Sequence, residues 1–161
     1  FFGLCPGMSW SRSRYAGFID ATVQHGREFL PKDVIGITLA EAMAEQEFHA
    51  GTAMSRAAEL SRDGVDAWVC SSEITARSLY EYFSQAGFNI PNEIGIVGFH
   101  SQRPPDRPSS AILTSTVAPS AELGASALRR LVHRIEGTDT YRRIILLPCS
   151  LRQGTTTRGK R

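Results

Sequence analysis

Two short apolar runs flank one amphipathic segment between residues 63 and 101, and this pattern constrains the fold more than any other part of the chain. The runs cover residues 65–70 and 94–99, which is too short for helices, and both are rich in residues that favour β-strands. Two such strands joined by a helix predict a parallel βαβ unit whose strands are buried on both faces. The segment between them carries its apolar residues at helical spacing: Ala76, Leu79, Tyr80, Phe83 and Ala86.

The same alternation of strand and helix patterns starts at the beginning of the chain. Residues 1–5 and 34–39 are further apolar runs, and a helical pattern follows each of them. The second pattern is alanine-rich between residues 50 and 58. The order β-α-β-α-β-α-β through Phe99 predicts an α/β fold with a doubly wound parallel sheet, in three αβα layers. The first helical pattern rests on four residues: Tyr15, Phe18, Ile19 and Val23.

The chain changes character after residue 100. Three prolines at 103–110 predict a surface loop, and the threonine-rich residues 112–117 are either a strand or an extended connector. Residues 144–147 are predicted to form a last strand, and the polar, basic residues 154–161 are expected to form an unburied tail. A helix is predicted at 119–137, with a continuous apolar face: Leu123, Ala127, Leu128, Leu131, Val132 and Ile135.

Size and composition restrict the possible classes of protein. The chain has 161 residues, enough for one compact core, and it begins at Phe1, so we expect a processed product or a piece of a longer protein. A net charge of +2 is too small to indicate nucleic-acid binding by this segment, and no apolar run approaches the ~20 residues of a membrane span. Cys5, Cys70 and Cys149 lack the spacing of a metal site. We expect buried, reduced thiols, a cytoplasmic location and no cofactor.

Five segments together resemble the effector-binding half of lactose-repressor and galactose-repressor type transcriptional regulators. The resemblance implies a two-lobed fold similar to periplasmic sugar-binding proteins, with a ligand in the cleft between the lobes. It also implies that DNA is bound only by a separate N-terminal headpiece, which this chain lacks. The segments are RYAGF at 14–18, VDAWVCSS at 65–72, NIPNEIGIVGF at 89–99, ILTSTVAPSAELGASALRRLVHRIEG at 112–137 and ILLPCSLRQGTTTR at 145–158.

The resemblance also implies a domain organisation. Residues 1–114 and 144–157 correspond to the C-terminal lobe, and residues 158–161 are a tail. Residues 115–143 correspond to the crossover segment and one helix of the N-terminal lobe, the rest of which is absent. That helix is therefore expected to expose its apolar face unless it swaps, docks or aggregates.

Candidate ligand-binding residues lie where the predicted strands end, because open parallel sheets bind ligands beyond the carboxyl ends of their strands. The resemblance implies that Arg14 donates hydrogen bonds to the ligand; otherwise it is a surface arginine. The family usually has Asn-Asp where this chain has Ser71-Ser72, and Asp where it has His100. Without those carboxylates, an anionic or less hydroxylated ligand should be tolerated better than a neutral sugar. Ser71 and Ser72 could equally form a helix cap, and His100 could be a solvated loop residue.

Aromatic side chains could stack on a ligand ring at the same rim. The family often has an aromatic residue before the third helix; gapless counting places Gln46 there, and a shift of two residues places Phe48. Trp10 follows the first strand and could border the cleft, whereas Trp68 lies within a strand and is expected in the core.

The sequence favours a sensor of a small-molecule effector: a sugar, a sugar derivative or a purine-like compound. The resemblance implies that the ligand controls DNA affinity through lobe closure, and that a homodimer forms through the helix at 73–86 and the loop at 101–110. A periplasmic sugar-binding protein of a transporter has the same fold and is the first alternative. A flavodoxin-like enzyme is the second; its only candidate nucleophile and base are Cys70 and His100, and no phosphate loop or nucleophile elbow accompanies them.

Overall fold

The computed structural model describes residues 1–28, 30–43, 51–99 and 111–159. The predicted alternation of strands and helices through Phe99 is confirmed, and no helix among the described residues is long and apolar enough to cross a membrane. The elements are β1 (Phe2–Leu4), α1 (Ser9–Gln24), a 3-10 turn (Pro31–Asp33), β2 (Ile35–Gly36), α2 (Leu39–Met43), α3 (Gly51–Arg62), β3 (Ala67–Val69), α4 (Glu73–Gln85), β4 (Gly95–Phe99), β5 (Thr114–Val117), α5 (Ser120–Ile135) and β6 (Ser150–Arg152).

The sheet is doubly wound, as predicted. β1 pairs in parallel with β2, and β3, β4 and β5 form a second parallel set. A parallel bridge between Phe2 and Cys70 joins the two sets, so the strand order is β2-β1-β3-β4-β5-β6. The chain moves from β1 to β2 in one direction and from β2 to β3 in the other, and right-handed crossovers then place α1 on one face and α3 on the opposite face. The result is the predicted three-layer α/β architecture.

The core forms between the sheet and helices α3 and α4. Trp68 and Ile96 point from the strands into this core, and both are buried. The Trp68 indole N–H donates to the Ser61 hydroxyl at 2.9 Å, which satisfies its polar atom inside the core. Three residues of the predicted α4 stripe are fully buried: Ala76, Leu79 and Phe83.

The last strand differs from the prediction in position and direction. Residues 144–147 form no strand, and Ile144 and Leu146 are exposed. Instead β6 pairs antiparallel with β5, with Leu151 opposite Thr116. The apolar run at 144–147 predicted a strand from local composition, but a strand also needs an edge to pair with, and β5 offers its edge to Ser150–Arg152.

The predicted unburied tail is wrong for residues 154–157, which pack against the sheet. Thr156 is fully buried; its hydroxyl donates to the carbonyl of Ile96 at 2.7 Å and accepts from the backbone N–H of Thr114 at 3.0 Å. The threonine hydroxyl therefore satisfies backbone groups of both β4 and β5. Gly154 approaches β5 so closely that a Cβ there would overlap the carbonyl oxygen of Ile112.

The predicted helix after β5 is present as α5, and none of its residues is buried. Leu128 is 63% exposed and Ile135 is 77% exposed, so the apolar face predicted from the sequence lies in solvent. The exposed Val23 shows a smaller departure in α1, since it was expected on the packed face of that helix.

Candidate functional site

Arg14 lies at the edge of the sheet where the carboxyl ends of β1, β3 and β4 meet. From the second turn of α1, its Nη1 donates to the carbonyl oxygen of Ser71 at 2.7 Å. Its guanidinium carbon lies 4.9 Å from the centre of the Trp10 ring and 5.3 Å from the centre of the Phe99 ring. Arg14 thus contacts residues near the carboxyl ends of three strands: Trp10 after β1, Ser71 after β3 and Phe99 at the end of β4. The two aromatic rings attract its positive charge through cation–π contacts.

The start of α1 sets the position of this arginine. The backbone N–H of Cys5 donates to the buried Ser11 hydroxyl at 2.9 Å, which ties the end of β1 to the first turn of α1. Trp10 and Arg14 are four residues apart, so they share one face of the helix. That face is directed at the ends of β3 and β4, where Ser71 and Phe99 lie.

The Arg14 guanidinium keeps hydrogen-bonding capacity for a ligand. It has five N–H donors, and its bond to Ser71 uses one; the part of the chain that the structure describes offers the others no hydrogen-bond partner. Desolvation by partial burial lowers the pKa of Arg14 from its ordinary value, and the nearby Cys149 acts in the opposite direction. An arginine nevertheless stays protonated in proteins, so the site carries a positive charge.

Cys149 reaches this edge of the sheet through the antiparallel pairing of β6. It directly precedes Ser150, which pairs with Val117 at the carboxyl end of β5. Cys5 and Cys70 are buried as expected, but Cys149 is exposed, so the expectation of three buried thiols is wrong for this residue. Cys149 is exposed because residues 144–149 form no strand and β6 begins only at Ser150.

Ser72 acts as the N-cap of α4. Its hydroxyl accepts from the Thr75 backbone N–H at 3.2 Å, and its own backbone N–H donates to the Thr75 hydroxyl at 3.1 Å. This reciprocal pair is a capping box, which satisfies two N–H groups at the helix start. Of the two roles considered for Ser72, ligand contact and helix cap, the structure therefore supports the helix cap.

Ser71 presents its backbone, not its hydroxyl, to the site. Its side chain is fully buried, its hydroxyl has no hydrogen-bond partner, and it lies against Gly3, where a Cβ would come within 2.7 Å of the Ser71 oxygen. In this structure a ligand at the rim cannot reach that hydroxyl. The carbonyl of Ser71 instead orients Arg14.

The structure brings together only part of the predicted site. Arg14 and Trp10 are in contact, with Trp10 in the first turn of α1 instead of a loop. His100 and Phe48, and Gln46 as the alternative to Phe48, lie outside the described residues. Phe99 was not predicted as a site residue, although an aromatic residue at the carboxyl end of a predicted strand was a signal for it.

The nucleophile of the enzyme alternative is not available for chemistry. Cys70 is fully buried, and desolvation raises the pKa of its thiol far above the ordinary range, while the N-terminal ammonium acts weakly in the opposite direction. A thiol must ionise to act as a nucleophile, and this one stays protonated at neutral pH. Within the described ranges, no group of three His, Cys, Asp or Glu side chains is placed to hold a metal ion.

Comparison with known proteins assigns the chain to a family. Residues 2–157 match the model of a family described as periplasmic binding protein-like domain. The chain therefore belongs to this family, and within it corresponds to a fragment of the effector-binding domain of lactose-repressor type regulators.

Relatives of known function or structure are longer than this chain. The ribose operon repressor of Haemophilus influenzae is 34% identical over 86 residues, which is 52% of this chain and 26% of the repressor. The Escherichia coli transcriptional repressor ascG superposes with a TM-score of 0.75 at 18% identity, over 96% of this chain and 54% of that one. A LacI family regulator from Enterococcus faecium with bound ribose has a TM-score of 0.69 at 18% identity, over 97% and 56% of the two chains. The chain thus spans about half of these solved structures, which share its fold.

Proposed function

We propose that this chain is part of the domain with which a bacterial transcriptional regulator senses a small molecule, a sugar or sugar derivative. The observation that carries the proposal is the unused donor capacity of Arg14 at the carboxyl edge of a doubly wound sheet, between two aromatic rings. A planar fork of donors suits ligand hydroxyls or carboxylates, and an aromatic face suits the apolar face of a sugar ring. The ribose operon repressor and the ribose-bound regulator support this class of ligand.

The charge of the site refines the ligand class. Arg14 supplies a positive charge, and Ser72 stands where the resemblance leads us to expect a carboxylate. An acidic or phosphorylated sugar therefore fits the site better than a neutral polyol, because its negative charge can pair with the guanidinium. A purine-like compound would instead be held by stacking on the rings of Trp10 and Phe99. In the proposed mechanism the ligand bridges this lobe and a second lobe, and lobe closure changes DNA affinity.

The remaining parts of the proposal concern assembly and location. We propose a homodimer that meets through α4, and DNA binding through a separate headpiece in the bacterial cytoplasm. The names of two relatives, which are repressors, support the DNA-binding part of this proposal. Tyr80 and Tyr82 are partly exposed on α4 and can contribute to such an interface. Phe83 cannot, because it is fully buried, with its ring centre 4.7 Å from that of Phe88.

The test is a thermal unfolding series on the full-length regulator that contains this chain. Sugars, sugar acids, sugar phosphates and purines are added to the wild type, to Arg14→Ala and to Arg27→Ala, an exposed arginine beyond the end of α1. A ligand that binds only the native state at 100 times its dissociation constant adds about 2.7 kcal/mol. We expect one class of ligand to raise the melting temperature of the wild type and of Arg27→Ala, but not of Arg14→Ala. A ligand that shifts all three equally would refute the assignment of Arg14, and no shift with any compound would count against the sensor.

A further inference from the structure

Four arginine side chains converge on one open cavity beside α5. The cavity has a volume of about 560 Å³ and lies between the second half of the helix and the segment that follows it. None of its residues belongs to the candidate site around Arg14. They are Arg130, Arg134, Arg142, Arg143 and Ile144.

Arg130 forms the fixed wall of this cavity. Its Nη1 donates to the carbonyl of Arg143 at 2.7 Å and its Nη2 to the carbonyl of Tyr141 at 2.9 Å. Its Nε lies 3.5 Å from a carboxylate oxygen of Asp139, and its side chain is only 20% exposed. These contacts fold residues 139–143 back against the helix and place Arg142 and Arg143 beside Arg130 and Arg134.

The charges in this cluster are not balanced. Asp139 is shared between Arg130 and Arg143, with a distance of 3.7 Å to Arg143. Arg134 and Arg142 make no ion pair or hydrogen bond with any described residue. Four guanidinium groups therefore face one carboxylate, in a chain whose net charge is only +2. An anion in the cavity would relieve the repulsion between these groups.

We propose that this cavity binds the phosphate group of a small anionic ligand, at a second site distinct from that of Arg14. Guanidinium forks match phosphate oxygens in pairs, which gives shorter and stronger hydrogen bonds than neutral donors give. The cavity volume falls in the range of small-molecule sites. A nucleic-acid surface would need basic residues spread along a face, whereas here they are concentrated around one cavity. The proposal is independent of the proposed sensing function.

The experiment measures binding of inorganic pyrophosphate to the 161-residue chain by calorimetry at constant ionic strength. The double variant Arg134→Ala/Arg142→Ala removes the two unpaired groups, and Arg27→Ala/Arg129→Ala removes the same charge from outside the cavity. All four residues are exposed, so both variants should fold, which circular dichroism verifies. We expect saturable binding to the wild type, unchanged binding to the second variant, and binding at least tenfold weaker to the first.

Three results would overturn the site. Absence of saturable binding to the wild type would do so, and so would an equal loss in both double variants, because that would show a response to net charge alone. A third arm uses a short duplex DNA of random sequence. If the duplex binds more tightly than pyrophosphate and loses this binding in Arg134→Ala/Arg142→Ala, the cluster recognises a nucleic-acid backbone and the small-ligand proposal fails.

Discussion

Helices α4 and α5 have the same kind of amphipathic sequence but opposite surroundings. The apolar residues of α4 lie in the core, where the helix contacts β4 and α3, and Ala76, Leu79 and Phe83 are fully buried. The apolar residues of α5 lie in solvent, as do Ile144 and Leu146 after it. An apolar stripe predicts that a helix has a face to bury, but it does not specify which surface covers that face.

The molecule thus has two regions. The packed region is formed by β1 to β4 with α1, α3 and α4, and the uncovered region is formed by α5 and residues 141–151. Solvent-exposed apolar surface of this kind is typical of a segment that packs on something else. We infer that the apolar face of α5, and not its arginine-lined side, is covered by the second lobe of the longer regulators, because the resemblance assigns α5 to that lobe. Three comparisons test where the boundary between the two regions lies.

The largest expected difference is in the free energy of unfolding, between a variant in α4 and a variant in α5. Phe83→Ala in α4 should lower the free energy of unfolding by about 3–5 kcal/mol, because it removes a buried ring and leaves a cavity. Leu128→Ala in α5 should change it by less than about 0.5 kcal/mol in this chain, because the side chain is exposed. Urea denaturation monitored by circular dichroism measures both. Equal losses in the two variants would show that α5 is packed in solution.

A smaller effect tests whether residues 154–157 belong to the packed region. Thr156→Val should cost about 1–3 kcal/mol, because it removes the buried acceptor of the Thr114 N–H and the donor to Ile96. Thr155 also accepts a backbone N–H, from Ile112, but it is exposed, so Thr155→Val should cost less, about 0.5 kcal/mol. The same urea titration compares the two variants. A neutral Thr156→Val would mean that the tail detaches in solution.

The smallest effect compares a thiol in each region through the pH dependence of stability. Burial raises the pKa of Cys70 in the folded state, so the unfolded chain loses this proton first as the pH rises. The contribution of Cys70 to stability is therefore complete below the unfolded pKa of about 8.5 and decreases above it, by about 1.4 kcal/mol at pH 9.5. Cys70→Ala should remove this part of the loss between pH 8 and 9.5, whereas Cys149→Ala retains the buried Cys70 thiol and should therefore retain the part that Cys70 contributes. Chemical denaturation at several pH values measures the slopes, and identical slopes in both variants would contradict the buried position of Cys70.

The sequence predicted the packed region better than the uncovered one. The helix and strands between residues 65 and 99, the core position of Trp68 and the possible cap at Ser72 follow from spacing and residue type over short distances. The strand predicted at 144–147 and the unburied tail were wrong, because both depend on which distant segment pairs with the edges of β4 and β5.

The candidate site shows the same division. The resemblance singled out Arg14, but nothing near it in the sequence indicates that Phe99 provides its second aromatic contact or that Ser71 supplies a carbonyl instead of a hydroxyl. Those roles depend on the meeting of three strand ends that are far apart along the chain.

The sequence by itself determined the order of strands and helices through β4, because helix and strand periodicities, caps and stops act between residues that are close along the chain. It also determined that α5 has an apolar face. Only the tertiary structure decided that this face is uncovered, that Ser150–Arg152 form the edge strand, and that Arg142 and Arg143 join Arg130 and Arg134 of α5 around one cavity. Burial, strand pairing and the convergence of charges join residues distant in sequence, so they depend on the packing of the whole chain and not on any local pattern.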